Sequence, residues 1–316
     1  MLSRRHFRIK VMQALYAFYL TGEDRLDVAE KQLKRSFDKL HELYIYQLSM
    51  LVELADMGRL RMEEAKKKFF PTEDELNPNT RFVDNPVIQW IANHPDYQTY
   101  INRYKINWAD DQEMIRKLWV TFKDTPEYLN YIQQPTSDLE QEKEVIRDLI
   151  RNYLVDSDIL RFFFEERNIL WTDDYDTALL LVMKTIKGIN PDVDSSLLSL
   201  TQDDEIDEMK DFILPLFRKT ILHGDKYEAI IAKHAENWEF DRIAIVDVLL
   251  MKMAICELIH FPSIPIKVTI NEYIEISKEY STTKSKVFIN GMLDKIVEIL
   301  KSENQLRKSG RGLLES

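Results

Sequence analysis

Apolar positions along this chain recur at helical spacing almost everywhere they recur at all. In "SRRHFRIKVMQALYAFYL", residues 3–20, the positions Phe7, Val11, Ala14, Leu15 and Phe18 fall at i, i+4, i+7, i+8 and i+11, one stripe of a helix. Ile9, Met12, Tyr16 and Tyr19 widen it. Ser3 suits the N-cap, and Thr21-Gly22 suits the end. A second helical stretch begins near Leu26 and is expected to run, with breaks, to about Phe70. The polar, proline-bearing "PTEDELNPNTRFVDNP" then reads as loop.

Between about residues 71 and 200 the chain is acidic and aromatic. Short helical segments are separated by Pro86, Pro95, Pro126, Pro135 and Pro191. "EKEVIRDLIRNYL" and "DDYDTALLLVMKTI" are its clearest helices, and its tryptophans and tyrosines are expected in a core. "DRIAIVDVLLMKMAICELIHF" is apolar nearly all round, the pattern of a helix at the centre of a bundle. Its interior polar residues, Asp247, Lys252 and Glu257, point in three directions. Pro262 and Pro265 introduce "VTINEYIEISKEY". In the last helix Ile289, Leu293, Ile296, Val297 and Leu300 make the inward stripe, and the tail "RKSGRGLLES" is expected to fray. The fold class is therefore all-α.

Composition narrows the function classes. Only 7 glycines in 316 residues argue against glycine-rich nucleotide loops and many-turned β folds. The single cysteine, Cys256, excludes an internal disulfide or a multi-cysteine zinc site and fits a reducing cytoplasm. No run of about 18 uninterrupted apolar residues is present, so no spanning helix is expected. Glu257-x-x-His260 has the spacing of half a di-iron motif, but a second Glu-x-x-His is missing, and His260 is expected to cap its helix. The run Asp203, Asp204, Glu205, Asp207 and Glu208 reads as a solvated helix start. With no HExxH, phosphate loop or G-x-S-x-G, no catalytic residue, metal site or cofactor is expected.

Two features point instead to an anionic partner. A chain of formal net charge -11 opens its first helix with Arg4, Arg5, Arg8 and Lys10. A helix N-terminus disfavours cations, and Arg4 and Arg8 form a like-charged i,i+4 pair, so the arrangement calls for something negative nearby. A solvated basic start is the bland reading; phosphate contact is the functional one. In the last helix Lys284, Phe288, Gly291 and Lys295 lie opposite the apolar stripe. An outward aromatic between lysines can stack on a base while the lysines pair with phosphates, and glycine permits close approach. The bland alternative has Phe288 covering a neighbouring helix.

The opening stretch, with its arginine-rich start and "A-x-Q-x-L-Y"-like core, resembles the first helix of the NusB family of transcription antitermination factors. "NWEFDRIAIVDVLLMKMAICELIHFPSIPIKVTINEYIEISKEYSTTKSKVFINGMLDKI" is similar to that family's C-terminal half. Its "P-x-K-V-x-I-N-E" helix start and "F-I-N-G-M-L-D-K-I" ending are the most specific parts. The resemblance covers about residues 3–40 and 207–300. It implies a two-subdomain helical bundle interrupted by a long helical insertion: first helices at 1–40, insertion at 41–206, remaining helices at 207–302 and a flexible tail at 303–316.

The resemblance also implies a non-catalytic cytoplasmic adaptor. Its partners would be single-stranded boxA-type leader RNA, the small-subunit ribosomal protein NusE, and the elongation complex with other Nus factors, and no membrane. RNA contacts would fall to Arg4, Arg5, Arg8, Lys10, Lys284, Phe288 and Lys295, and partner contacts to Tyr16, Phe288 and Gly291. Asn271, Glu272 and Asn290 match family polar positions and are expected as hydrogen-bonded scaffold. Lys252 stands where relatives typically carry arginine, and Lys284 where they are often acidic or polar. The competing reading is a protein-interaction scaffold on the same core without RNA binding. A NusB-like domain of an rRNA cytosine methyltransferase would need a glycine-rich loop and catalytic cysteines that the sequence lacks.

Overall fold

The computed structural model describes residues 2–134, 138–190, 207–235 and 243–313. In chain order the helices are α1 (Arg4–Thr21), α2 (Leu26–Lys66), α3 (Glu73–Leu76), α4 (Pro86–Asn93), α5 (Pro95–Tyr104), α6 (Gln112–Lys123), α7 (Pro126–Gln133) and α8 (Leu139–Leu149). They continue with α9 (Asp158–Arg167), α10 (Tyr175–Gly188), α11 (Leu214–Leu222), α12 (Gly224–His234), α13 (Ile245–His260), α14 (Ile266–Tyr280) and α15 (Ser285–Ser302). Among the described residues there is no strand, as expected for an all-α chain. The chain divides into two compact units: Met1–Arg35 with Asp203–Ser316, and Ser36–Gln202.

In the first unit α13 is the central helix. Leu249 to Leu258 are all buried, including Lys252, Cys256 and Glu257. Its three polar side chains point in three directions, as the sequence pattern requires, and each meets a different partner. Asp247 accepts from Ser281 Oγ (2.6 Å) and Ser285 Oγ (2.7 Å), tying the turn between α14 and α15. Lys252 pairs with Glu228 of α12. Glu257 receives Arg8 of α1. Buried charges persist only when paired and hydrogen-bonded, so these three sets of contacts fix where α1, α12 and α15 lie against α13. α1 starts at a Ser3 cap, whose side chain accepts from His6 N, and stops at Gly22 in the left-handed region.

The second unit is built on α2. This helix runs unbroken from Leu26, where the sequence suggested breaks, and residues 43–51 are buried on every side. Gly58 looks like a weak point but is a packing notch: a Cβ there would sit 2.7 Å from Val83 Cγ1 and 2.8 Å from the Trp119 ring. The prolines Pro86, Pro95 and Pro126 start helices, each in the first turn, where their missing N–H costs nothing. Asn85 caps α4 through Val87 N and Ile88 N. The two helices most evident from sequence form as α8, continued by a π-turn at Ile150–Leu154, and α10. Trp108, Trp119 and Trp171 are core residues. In "ILRFFFEERNILW" Leu160, Phe164 and Trp171 are buried, but Ile159, Phe162 and Ile169 remain exposed.

Pro135, Pro191, the acidic residues Asp203, Asp204 and Glu205, and residues 314–316 of the tail lie outside the described residues.

Candidate nucleic-acid interface

The four cations that open α1 divide into two outward and two inward. Arg4 reaches Glu208 through Nε (3.1 Å) and Nη2 (2.8 Å), with half of its side chain exposed. Arg5 makes the same fork to Glu272 of α14 at 3.0 and 2.9 Å and is also part-exposed. Arg8 is buried at 1 % exposure. Its fork to Glu257 measures 2.8 and 2.7 Å, and it lies over the Phe212 and Tyr273 rings. Glu257 also accepts from Thr269 Oγ1 (2.8 Å) and Tyr273 OH (3.1 Å). Burial would lower the Arg8 pKa, but the Glu257 carboxylate outweighs it and holds the guanidinium charged. Lys10 is buried at 3 %.

Arg8 backs the cleft but is buried and held by Glu257, and Lys10 is buried, so neither offers an exposed phosphate contact, which corrects their assignment as RNA contacts. The negative charge demanded by the helix start is supplied largely from within, by Glu208, Glu257 and Glu272. Arg4 and Arg5 remain at the surface. With Ser3, Ser263, Pro265 and Arg311 they line a cleft of about 480 Å³. Their carboxylate partners sit at a partly wet edge, where ion pairs contribute about 1 kcal/mol or less and can be exchanged for another anion.

α15 presents the second cluster. Ile289, Leu293, Ile296, Val297 and Leu300 are buried, so its inward stripe is the one read from the sequence. Lys284, Phe288, Gly291 and Lys295 line a second cleft, of about 470 Å³, with His234 and Val287. Phe288 is half-buried in its wall rather than fully exposed; Val287, at 70 %, is the most exposed apolar side chain of this helix. A Cβ on Gly291 would meet nothing within 4 Å, so this glycine leaves room on the surface.

Tyr16 is exposed at 38 % on α1. Tyr19, beside it, stacks under Lys252 Nζ at 5.1 Å. Lys252 thus combines an ion pair to Glu228 with an aromatic contact to Tyr19, without the planar fork an arginine would bring.

Other sequence expectations resolve differently. Glu272 is the scaffold residue expected, through Arg5; Asn290 is hydrogen-bonded too, donating to Asp294 Oδ2 (3.2 Å), but at the surface, and Asn271 is exposed. His260 faces Tyr227 OH (3.1 Å) and stacks on His223 instead of capping its helix, and burial pulls its pKa down to about 4. Among the described residues no group of three or more His, Cys, Asp or Glu could hold a metal ion, and no helix is long and apolar enough to cross a membrane. Sequence reasoning missed Arg311 altogether. The segment around it does not fray within the described residues: Lys308 Nζ donates to Phe261 O (3.2 Å) and Ser309 N to Pro262 O (3.0 Å). Burial lowers the Lys308 pKa to about 8.

Comparison with known proteins agrees with this helical core. A sequence model described as the NusB family matches residues 177–298, beginning earlier than the stretch on which the resemblance rested. A transcription antitermination protein NusB of Chloroherpeton thalassium is 43% identical over 142 residues, 45% of this chain and 63% of that protein. The protein of the same name from Salinibacter ruber is 41% identical over 138 residues, 42% of this chain and 86% of that protein. That of Thermodesulfovibrio yellowstonii is 38% identical over 96 residues, 30% of this chain and 64% of that protein. The chain thus spans a little under two thirds of the first and third of these relatives. No solved structure matches significantly. With 86% of one relative aligned at 41% identity, on an all-helical core, the chain belongs to the NusB family.

Proposed function

We propose that this protein is a non-catalytic, cytoplasmic adaptor of transcription antitermination that binds single-stranded, boxA-type leader RNA together with NusE, within an elongation complex carrying other Nus factors. The observation that carries this reading is the placement of Arg4 and Arg5. Both guanidiniums lie part-exposed in one cleft, and each is bonded to a carboxylate that a phosphate can replace. The α15 cleft supports it, with an aromatic wall between Lys284 and Lys295. Tyr16, Phe288 and Gly291 are the proposed partner contacts.

The overall acidity of the chain does not oppose local RNA binding, because charges beyond a Debye length of about 8 Å are largely screened. The ordered second unit, without a role in RNA contact in this reading, is an accessory. The pairing of every N-terminal arginine with a glutamate also suits a scaffold that has lost RNA binding, so capture experiments must separate the two. The purified chain should retain NusE from the same organism, and labelled leader RNA should bind more tightly to the pair than to the chain alone. A chain that holds NusE while RNA neither binds nor tightens the complex would favour the scaffold.

Phe288→Ala separates recognition from packing. A half-buried ring in a cleft wall should cost well under the 3–5 kcal/mol of a buried phenylalanine. It should weaken RNA binding by about 1–3 kcal/mol where the ring stacks on a base. Denaturant midpoint and RNA affinity with NusE present, measured on the same preparation, decide this. A large fall in midpoint would make Phe288 a core residue.

A further inference from the structure

The cleft at the start of α1 has a wall that the family resemblance does not include. Residues 308–312 are folded back onto the turn between α13 and α14. Ser309 N and Lys308 Nζ donate to Pro262 O and Phe261 O. Gly310 adopts φ +54°, in the left-handed region. Gly312 then packs so closely that a Cβ would lie 1.9 Å from Pro262 O, so no other residue fits there without moving the segment. A flexible tail has no need of such a fit. What it achieves is to hold Arg311, the residue between the two glycines, at the cleft lined by Arg4 and Arg5.

The charge balance gives Arg311 its significance. Arg4, Arg5 and Arg8 each face a glutamate, so those pairs are formally neutral. Arg311 is exposed and makes no ion pair among the described residues. Its guanidinium therefore brings unspent positive charge and hydrogen-bond donors to the cleft. Glu272 of α14 also lines the cleft, but both of its carboxylate oxygens accept from Arg5, and the first turn of α14 holds no further acidic residue.

We propose that the segment 308–312 is a fixed arm of the RNA cleft, and that Arg311 contacts a backbone phosphate of single-stranded RNA there. This rests on the RNA-binding reading above. Arg4 and Arg5 must exchange a carboxylate for phosphate, whereas Arg311 binds phosphate without breaking an internal bond. Arg311 is thus a first point of contact that a chain ending after α15 would lack.

The test uses the full chain and short fluorescein-labelled single-stranded RNAs tiled across the rRNA leader of the source organism, titrated between about 50 and 200 mM salt. Arg311→Ala should weaken binding about fivefold and make the log–log salt slope shallower by about 0.7. Arg311→Lys should keep the slope. Gly312→Val, which displaces the arm while leaving the arginine in the chain, should reproduce the Arg311→Ala loss. Arg311→Ala with unchanged affinity and slope, beside a weakened Arg4→Ala/Arg5→Ala variant, would overturn the arm as an RNA contact and leave the RNA reading standing. Absence of binding by the unsubstituted chain to every RNA, with or without NusE, would overturn both.

Discussion

Arg8→Met should destabilise the unit formed by Met1–Arg35 and Asp203–Ser316 by about 3–5 kcal/mol. The methionine fills most of the volume, so the loss is electrostatic. It leaves the Glu257 carboxylate, at 0 % exposure, with Thr269 and Tyr273 as its remaining donors among the described residues. Chemical denaturation followed by helical circular dichroism gives the midpoint. Arg8→Met/Glu257→Leu should recover much of the loss, because two apolar residues need no counter-charge. An Arg8→Met protein as stable as the parent would show that the pair does not organise α1 against α13. RNA affinity of the double variant should stay close to the parent's once folded, since Arg8 is buried behind the cleft and its charge is neutralised by Glu257.

Arg81→Ala should have an effect of similar size on the other unit, about 3 kcal/mol or more. Arg81 donates through Nε to Glu142 (3.1 Å) and through Nη1 to Tyr131 O (2.6 Å) and Gln134 O (3.0 Å). It also lies over the Tyr131 ring at 4.1 Å. Glu142 is buried and accepts further from Tyr131 OH and from Asn85 Nδ2 at 2.8 Å. One arginine thus pins the loop before α4, the end of α7 and the start of α8. Without it a buried carboxylate keeps only neutral donors.

Of the 5 tryptophans only Trp238 lies outside Ser36–Gln202, so tryptophan fluorescence reports mainly on this unit. Its transition should move to lower denaturant in Arg81→Ala. RNA binding by the folded variant should be unchanged, because the proposed contacts all lie in the other unit. A fluorescence transition that does not move would mean the network contributes little.

These two pairs also show what sequence reading reaches and where it stops. The stripe of α15 from Ile289 to Leu300 and the position of Phe288 opposite it follow from periodicity alone, because each residue's face is set by its neighbours on one helix. The partner of Arg8 was out of reach by that route. It is 249 positions away, and a run of Arg4, Arg5, Arg8 and Lys10 reads as one basic patch. The signal that could have found the pair was Glu257: a carboxylate inside a helix that is apolar all round requires a buried cation.

Arg8 also falls in register with Met12 and Leu15 on the inward side of α1. α2 runs unbroken where breaks were expected, and its one glycine, Gly58, serves as a notch for Val83 and Trp119. Arg311 had no periodic context at all, since its position is set by tertiary contacts of backbone atoms and two glycines.

The central claim is that phosphates replace carboxylates on Arg4 and Arg5. It is tested most directly by the salt dependence of leader-RNA binding, with NusE present, for the parent chain and for Arg4→Ala/Arg5→Ala. Loss of two phosphate contacts to a single strand should make the slope of log affinity against log salt shallower by about 1.4. Stability should change little, because both pairs are part-exposed. A folded double variant that binds leader RNA with the parent's affinity and the parent's slope would contradict the account.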